Sequence, residues 1–393
     1  MSVPDVSPRA MRLYRDAYVI DTHNDMPSKM LGDGYDADVR HPAGFGAGKG
    51  NTDLPRLVES GLTAVFMAAW VDAPYAATPR ASFDRAVQYI DAIHDLVGRH
   101  PDRLCFATTG ADVRAAKRGG RVAIFIGVEG GHAIEGSLDR LRDLYARGAR
   151  YLTLTWNNGV EWAGSSIGEG GTHTGELTAF GRDVVREMNR LGMLVDVSHV
   201  SDRTFFDVLA VSSVPVIASH SSARALNESP RNLSDDQLRA IAYNGGVVNV
   251  NFFSRFLDPI YLAQIEQVEA TVRDARRDAA RQEDGTLAAM RIDAMRDSLV
   301  AAIPDTPLSV LVDHLDHVAR VAGIDHVGLG SDFDGVTALP VGMEDVTRLP
   351  RIAQALLDRG YGDSDVQKML GGNMLRVMEQ VLDGRATTPS RRS

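Results

Sequence analysis

The chain is predicted to fold as a (β/α)8 TIM barrel, with a helical insertion after the seventh strand, on three observations. Eight short apolar runs recur at residues 18–25, 62–70, 122–129, 151–156, 193–199, 214–220, 246–252 and 326–332. Each is near-continuously apolar, as expected of a strand covered on both faces. The stretches between them, such as 83–99, 138–148 and 178–191, carry apolar residues at helical spacing. Finally, the residues suited to chemistry fall at or near the ends of the runs, where a barrel of this kind builds its site.

Taken in order, the first run closes on His23 and Asp25. Residues two apart on a strand point the same way, so both side chains can face one ion. A buried carboxylate beside an imidazole is costly unless a cation or proton neutralises it. The second run supplies no ligand type. The third ends Ile-Phe-Ile-Gly-Val-Glu on Glu129, and the fourth ends Leu154-Thr155-Trp156. The fifth and sixth close on His199 and His220, and Arg231 follows the sixth in Ser-Pro-Arg-Asn. The stretch 262–302 after the seventh run is rich in Ala, Arg, Glu and Met at helical spacing and is read as the insertion, a lid, a subunit contact or a solvated helical pair.

The eighth run closes Val-Gly-Leu-Gly-Ser-Asp on Asp332, followed by Phe333, Asp334 and Gly335. Only one of the two acids is expected to face the barrel. Asp332 is the choice for general acid–base work, taking the nucleophile's proton and returning it to a leaving amine. Asp334 is expected to hold the following loop. Arg231 can pair through two parallel hydrogen bonds with a substrate carboxylate.

Imidazole and carboxylate ligands without thiolate suit zinc or a neighbouring first-row ion, and the one cysteine, Cys105, lies outside these runs. Many two-metal barrels bridge their ions with a modified lysine. Here the only lysines, Lys29, Lys49, Lys117 and Lys368, all lie outside the predicted strands. Glu129 is therefore expected to bridge two Zn2+ ions, with His23 and Asp25 on one and His199 and His220 on the other.

Composition limits the alternatives. With 393 residues, 44% hydrophobic and 24% charged, the chain has enough apolar content for one large barrel, read as residues 1–383, with 384–393 a disordered tail. A formal charge of −10 with no basic stretch argues against a nucleic-acid binder and for a small-molecule substrate. One cysteine excludes an intramolecular disulfide framework, and the polar first ten residues lack an apolar signal core. No apolar run approaches the roughly 20 residues of a spanning helix. These features predict a cytoplasmic protein without membrane attachment. The loops 33–51 and 159–175 are expected on the site's face, where specificity resides.

Five motifs in order, Asp21-Thr-His-Asn-Asp-Met-Pro, Gly127-Val-Glu-Gly-Gly-His, Asp196-Val-Ser-His-Val-Ser, Ala218-Ser-His-Ser-Ser-Ala and Gly330-Ser-Asp-Phe-Asp-Gly, resemble the membrane (renal-type) dipeptidase family of the amidohydrolase superfamily. The resemblance spans about residues 18–378. It implies a binuclear zinc centre with the ligands already named, Asp332 as base, Arg231 on the substrate carboxylate, a homodimer, and hydrolysis of dipeptides, including those with a C-terminal D-residue. Two departures stand out. The family's fourth strand usually ends Leu-Thr-His, with the histidine polarising the scissile carbonyl; here Trp156 replaces it. An indole donates one hydrogen bond and carries no charge, so that role falls to the metal or to a loop histidine such as His173. Phe253 stands where the family commonly has a tyrosine, and loses a hydroxyl. Both are read as substrate-binding positions. Trp156 also motivates an alternative reading as an amidohydrolase of N-acyl amino acids, lactones or β-lactams.

Overall fold

The computed structural model describes residues 5–32, 34–168, 175–279 and 285–384. The strands, in chain order, are β1 (Ile20–Asn24), β2 (Ala64–Trp70), β3 (Leu104–Phe106), β4 (Val122–Glu129), β5 (Ala149–Thr153), β6 (Leu194–Asp196), β7 (Ile217–Ala218), β8 (Val247–Val250) and β9 (Val327–Leu329). All pairings between strands are parallel. β2 pairs with both β1 and β4, and the ladder runs from β4 through β5, β6, β7, β8 and β9 back to β1. Eight strands therefore close a ring surrounded by helices, the (β/α)8 TIM barrel.

β3 stands outside the ring. It pairs only with the start of β4, Leu104 opposite Val122, on the edge that β5 takes further along. Three residues are too few for a periodicity to reveal, so the sequence reading missed it.

Side-chain alternation builds two cores. Ile20, Phe66, Phe125, Tyr151, Leu194, Ile217 and Val247 fill the barrel interior, with the Phe66 ring 4.8 Å from Phe125 and 5.2 Å from Tyr151. Met374, Leu375, Val377 and Met378, from the helix Asn373–Val381, pack against the same cluster. Residues of the opposite parity, such as Val65, Ile124 and Ile126, pack outward with Ile90, Ile93 and Leu141 of the helical layer. Truncating Phe125 to Ala would cost about 3–5 kcal/mol, since it leaves a cavity in a filled interior. Gly127 makes room for this packing: a Cβ there would occupy the ring of Tyr151.

Local signals set the helix ends. Thr109 and Asp112 form a capping box before Gly110–Gly119, and Ser234 with Gln237 does the same for Asp235–Asn244. Between β8 and β9, the helices Pro259–Ala279 and Gly285–Ala301 meet through Tyr261, Ile265, Val268, Val272 and Ile292. None of their described residues lines the cavity at the barrel mouth. Among the described residues, no helix is long and apolar enough to cross a membrane. The tail beyond residue 384 and His173 lie outside the described residues.

Candidate metal centre

The strands are shorter than the apolar runs suggested, and this changes how the site is made. β6 ends at Asp196, β7 at Ala218 and β9 at Leu329, so His199, His220 and Asp332 stand on the turns just beyond the strands. His199 (φ 68°), Asp332 (φ 61°) and Asp334 (φ 69°) lie in the left-handed region, unusual for residues with a Cβ. The backbone has turned out of the extended conformation to aim these side chains. In β1 the register slips between Asp21 and Asn24, a bulge that reorients His23 and delivers Asp25 one residue past the strand.

The predicted ligands converge. His23 Nε2 is 3.3 Å from Asp25 Oδ2 and 3.3 Å from Glu129 Oε2. The other Glu129 oxygen, Oε1, is 2.8 Å from His199 Nε2 and 3.4 Å from His220 Nε2. The Nε2 atoms of His199 and His220 are 2.9 Å apart. Ligand atoms of His23, Glu129 and His220 lie within 4.8 Å of one another, as do those of His23, Asp25 and Asp332. Asp332 thus stands within ligand reach as well as beside the reaction space. All six side chains are buried.

These residues fit a cation. His23 Nε2 is buried without a hydrogen-bond partner, although two carboxylates face it. Burial opposes charge on His23, yet Tyr151, Glu129 and Asp25 raise its pKa well above the ordinary imidazole value: the cluster draws positive charge to its centre. Burial likewise opposes ionisation of Glu129, but His23 and hydrogen bonds from His199, His220 and His23 hold it well below the usual carboxylate range. His199 is pushed down to about 4 by burial and by Arg231, and His220 is lowered by burial and by His23. Neutral imidazoles of this kind are what a metal requires.

Groups absent from the sequence reading orient these ligands. His23 Nδ1 meets the Tyr151 hydroxyl at 2.8 Å. With Nε2 given to a cation as a ligand, Nδ1 would carry the ring proton and donate it to that oxygen. His220 Nδ1 meets Ser219 Oγ at 2.7 Å, and that hydroxyl donates to Asp196 Oδ2 at 2.6 Å. Asp196 also accepts from Thr153 Oγ1 at 2.5 Å. Asp21 plays the matching part between β1 and the turn after β9, accepting from Ser331 N at 2.8 Å and Ser331 Oγ at 2.6 Å. The signal was present in the motifs: each acid stands two or three residues before a ligand histidine.

Asp332 Oδ2 accepts from Asn251 Nδ2 at 2.8 Å. Its carboxyl is pushed up to about 7 by burial, with Asp25 and Glu129 adding to the rise and His23 opposing it. Gly335 permits this crowding, since a Cβ there would collide with the carboxylates of Asp25 and Asp332. The expectation that only one of Asp332 and Asp334 faces the site is corrected: both line the cavity, as residues two apart with like backbone geometry can. The hydrogen bonds of Asp334 run to a loop other than the one that follows it. Its Oδ1 accepts from Asn51 N at 2.7 Å and its own N–H donates to Asn51 Oδ1 at 3.0 Å, tying down the loop after β1.

The cavity above the cluster measures about 720 Å³, ample for a small molecule. Trp156 lines it, edge-on to Trp70 at 5.2 Å and tilted against His199 at 6.5 Å. Phe253 lines it against Phe256, 4.9 Å between ring centres. Phe45, Gly46 and Ala47 contribute from the loop after β1. Arg231 is buried at the wall, with its guanidinium 5.4 Å from the Phe256 ring centre and a bond to His220 O at 3.3 Å. Among the described residues no carboxylate pairs with it, and burial lowers its pKa to about 10. A buried guanidinium left in this state is set up to receive an anion.

Comparison with known proteins places this geometry in context. A sequence profile described as membrane dipeptidase (peptidase family M19) matches residues 7–392. The crystal structure of the probable dipeptidase PvdM from Pseudomonas aeruginosa is similar, with a TM-score of 0.82 and 26% identity, over 96% of this chain and all of the other. A metallo peptidase from Rhodobacter sphaeroides, liganded with a phosphinate mimic of the dipeptide L-Ala-D-Ala, gives 0.73 and 28%, over 93% of this chain and 99% of that one. Dipeptidase AC, a metallo peptidase of family M19, gives 0.72 and 29%, with the same coverage.

Proposed function

The chain belongs to the membrane dipeptidase family of metallopeptidases, and on that premise we propose that it hydrolyses dipeptides at a centre of two zinc ions. The observation that carries this reading is Glu129, whose two oxygens face separate histidine sets: Oε2 toward His23, Oε1 toward His199 and His220. A carboxylate so placed can bridge, with His23 and Asp25 completing one site and His199 and His220 the other. The chemistry supplied there by bound zinc is Lewis acidity, which polarises the scissile carbonyl and makes water nucleophilic at neutral pH.

The chain's own residues do the rest. Arg231 takes the substrate's α-carboxylate in a desolvated pocket and so fixes the scissile bond over the ligand cluster. Asp332, held by Asn251 beside the ligand cluster, accepts the proton of the attacking water and delivers it to the leaving amine. Trp156, Phe253 and Phe256 exclude water around the bond under attack. Tolerance of a C-terminal D-residue is supported by the L-Ala-D-Ala mimic bound to the Rhodobacter sphaeroides relative.

The test is a substrate panel on protein reconstituted with zinc: L-L and L-D dipeptides beside N-acyl amino acids and lactones. The expected result is dipeptide turnover that a chelator abolishes and two equivalents of zinc restore. Trp156, a neutral donor where the family usually has histidine, favours the second reading as a broader amidohydrolase. Turnover confined to N-acyl amino acids and lactones would establish that reading and remove the dipeptidase one.

A further inference from the structure

The cavity has a charged side that the reaction described above leaves unused. Arg85, on the helix Ala81–Arg99 that follows β2, lines it. The guanidinium lies 4.5 Å from the ring centre of Tyr89 and 5.7 Å from that of Tyr75, and donates to Tyr89 OH at 3.0 Å and to Gln88 Oε1 at 3.0 Å. Other arginines nearby are paired, Arg80 with Asp84, Arg99 with Asp95 and Arg140 with Glu135. Among the described residues no carboxylate pairs with Arg85, although Asp84 is its neighbour in sequence. Lys29, on the helix Met26–Gly32 after β1, adds a second cation to the lining, donating to Gly46 O at 3.1 Å and lying 5.7 Å from the Phe45 ring centre.

Topology puts this side opposite Arg231. β2 is the second strand of the ring and β7 the sixth, so the turns after them face one another across the mouth. The ligand cluster, drawn from β1, β4 and the turns after β6 and β7, lies between. A dipeptide whose α-carboxylate rests on Arg231 and whose scissile bond lies over that cluster directs its N-terminal residue toward Arg85.

We propose that Arg85 makes this wall a subsite for an acidic side chain on the N-terminal residue of the dipeptide, an inference that rests on the dipeptidase reading. A guanidinium stacked on aromatic rings has five N–H donors, and with two engaged by Gln88 and Tyr89 it retains donors for a carboxylate. Partial burial inside a cavity gives the pairing more weight than an exposed salt bridge has. Asp72 lies on the same wall. It is a single acid at the start of the short helix Ala73–Ala77 and opposes the Arg85 guanidinium, so a comparison of Glu with Gln at the N-terminal residue reads the net of the two.

The experiment compares kcat/KM for four dipeptides that share one C-terminal residue and carry L-Glu, L-Gln, L-Leu or L-Lys at the N-terminus. The native enzyme is expected to favour Glu over its neutral isostere Gln by about tenfold or more. Arg85→Met should bring that ratio to within about threefold of unity, and Arg85→Glu should turn the preference toward L-Lys. Thermal melting confirms that the variants fold; the native Glu-to-Gln ratio stands as a test without them. Equal rates on Glu and Gln, a native preference for Lys, or a ratio that Arg85→Met leaves in place would overturn the subsite while leaving dipeptidase activity intact. Failure to cleave any dipeptide would overturn the dipeptidase reading, and the subsite with it.

Discussion

Asn251 donates from Nδ2 to Oδ2 of Asp332 across 2.8 Å, and its own Oδ1 accepts from Phe253 N at 2.5 Å. The amide therefore clamps the proposed base to the turn after β8. Asp332→Asn should retain its bound metal, measured by elemental analysis, while kcat falls by roughly 10²–10⁴, the usual contribution of a general base. Asn251→Ala leaves the carboxylate in place but unanchored, and a fall of about 10- to 100-fold is expected. Undiminished turnover in Asp332→Asn would falsify the role given to that acid.

Tyr151 touches His23 from the barrel interior, and the contact orients the ring rather than binding substrate. Tyr151→Phe keeps the packing against Phe66 and removes only the hydroxyl. Zinc affinity, measured by competition with a chromophoric chelator, should weaken by about 10- to 100-fold, with kcat at saturating zinc changed far less. Equal affinity in the two proteins would show that His23 needs no partner at Nδ1.

Much of this site could be read in the sequence because its ligands are polar residues closing apolar runs, a pattern a buried strand does not otherwise tolerate. His23, Asp25 and Glu129 stood out in that way, and the structure gathers them with His199, His220 and Asp332. The supporting residues were hidden for a physical reason. Tyr151 opens an apolar run and resembles any core aromatic, while the roles of Asp21, Asp196 and Ser219, although the acids recur before ligand histidines, are defined by what they touch across the barrel. The placement of both Asp332 and Asp334 at the cavity was within reach of a period-two argument, since residues two apart share a face, although here left-handed backbone in the turn after β9 sets both directions. β3 escaped because three residues leave no pattern.

Arg231 is buried and lines the cavity, and among the described residues no acid pairs with it. Arg231→Met preserves much of its apolar stem and deletes the charge. The expected result is a fall in kcat/KM of about 10- to 100-fold on dipeptides, the worth of a charge-assisted bond to a carboxylate. Dipeptide amides, which lack that carboxylate, should separate the native protein and the variant much less. A variant that discriminated between free dipeptides and their amides as strongly as the native protein would refute carboxylate binding by Arg231.

His314 links the ring to its surroundings and makes stability depend on pH. It is fully buried on the helix Leu308–Ala322; Nδ1 accepts from Ala223 N at 3.0 Å, and Nε2–H donates to Leu257 O at 2.9 Å. Only the neutral ring satisfies both partners, because a second ring proton would face the Ala223 N–H. Burial accordingly pushes its pKa down from 6.5 to about 4. The unfolded chain then binds more protons than the fold between those values. The contribution is complete above pH 6.5 and is lost as pH falls toward 4, on the order of 2 kcal/mol between pH 7 and pH 5. Urea unfolding at those two pH values should show the native protein losing that increment. His314→Gln, less stable at pH 7 for want of the Ala223 contact, should lose less on acidification; equal losses in the two proteins would place the acid sensitivity elsewhere.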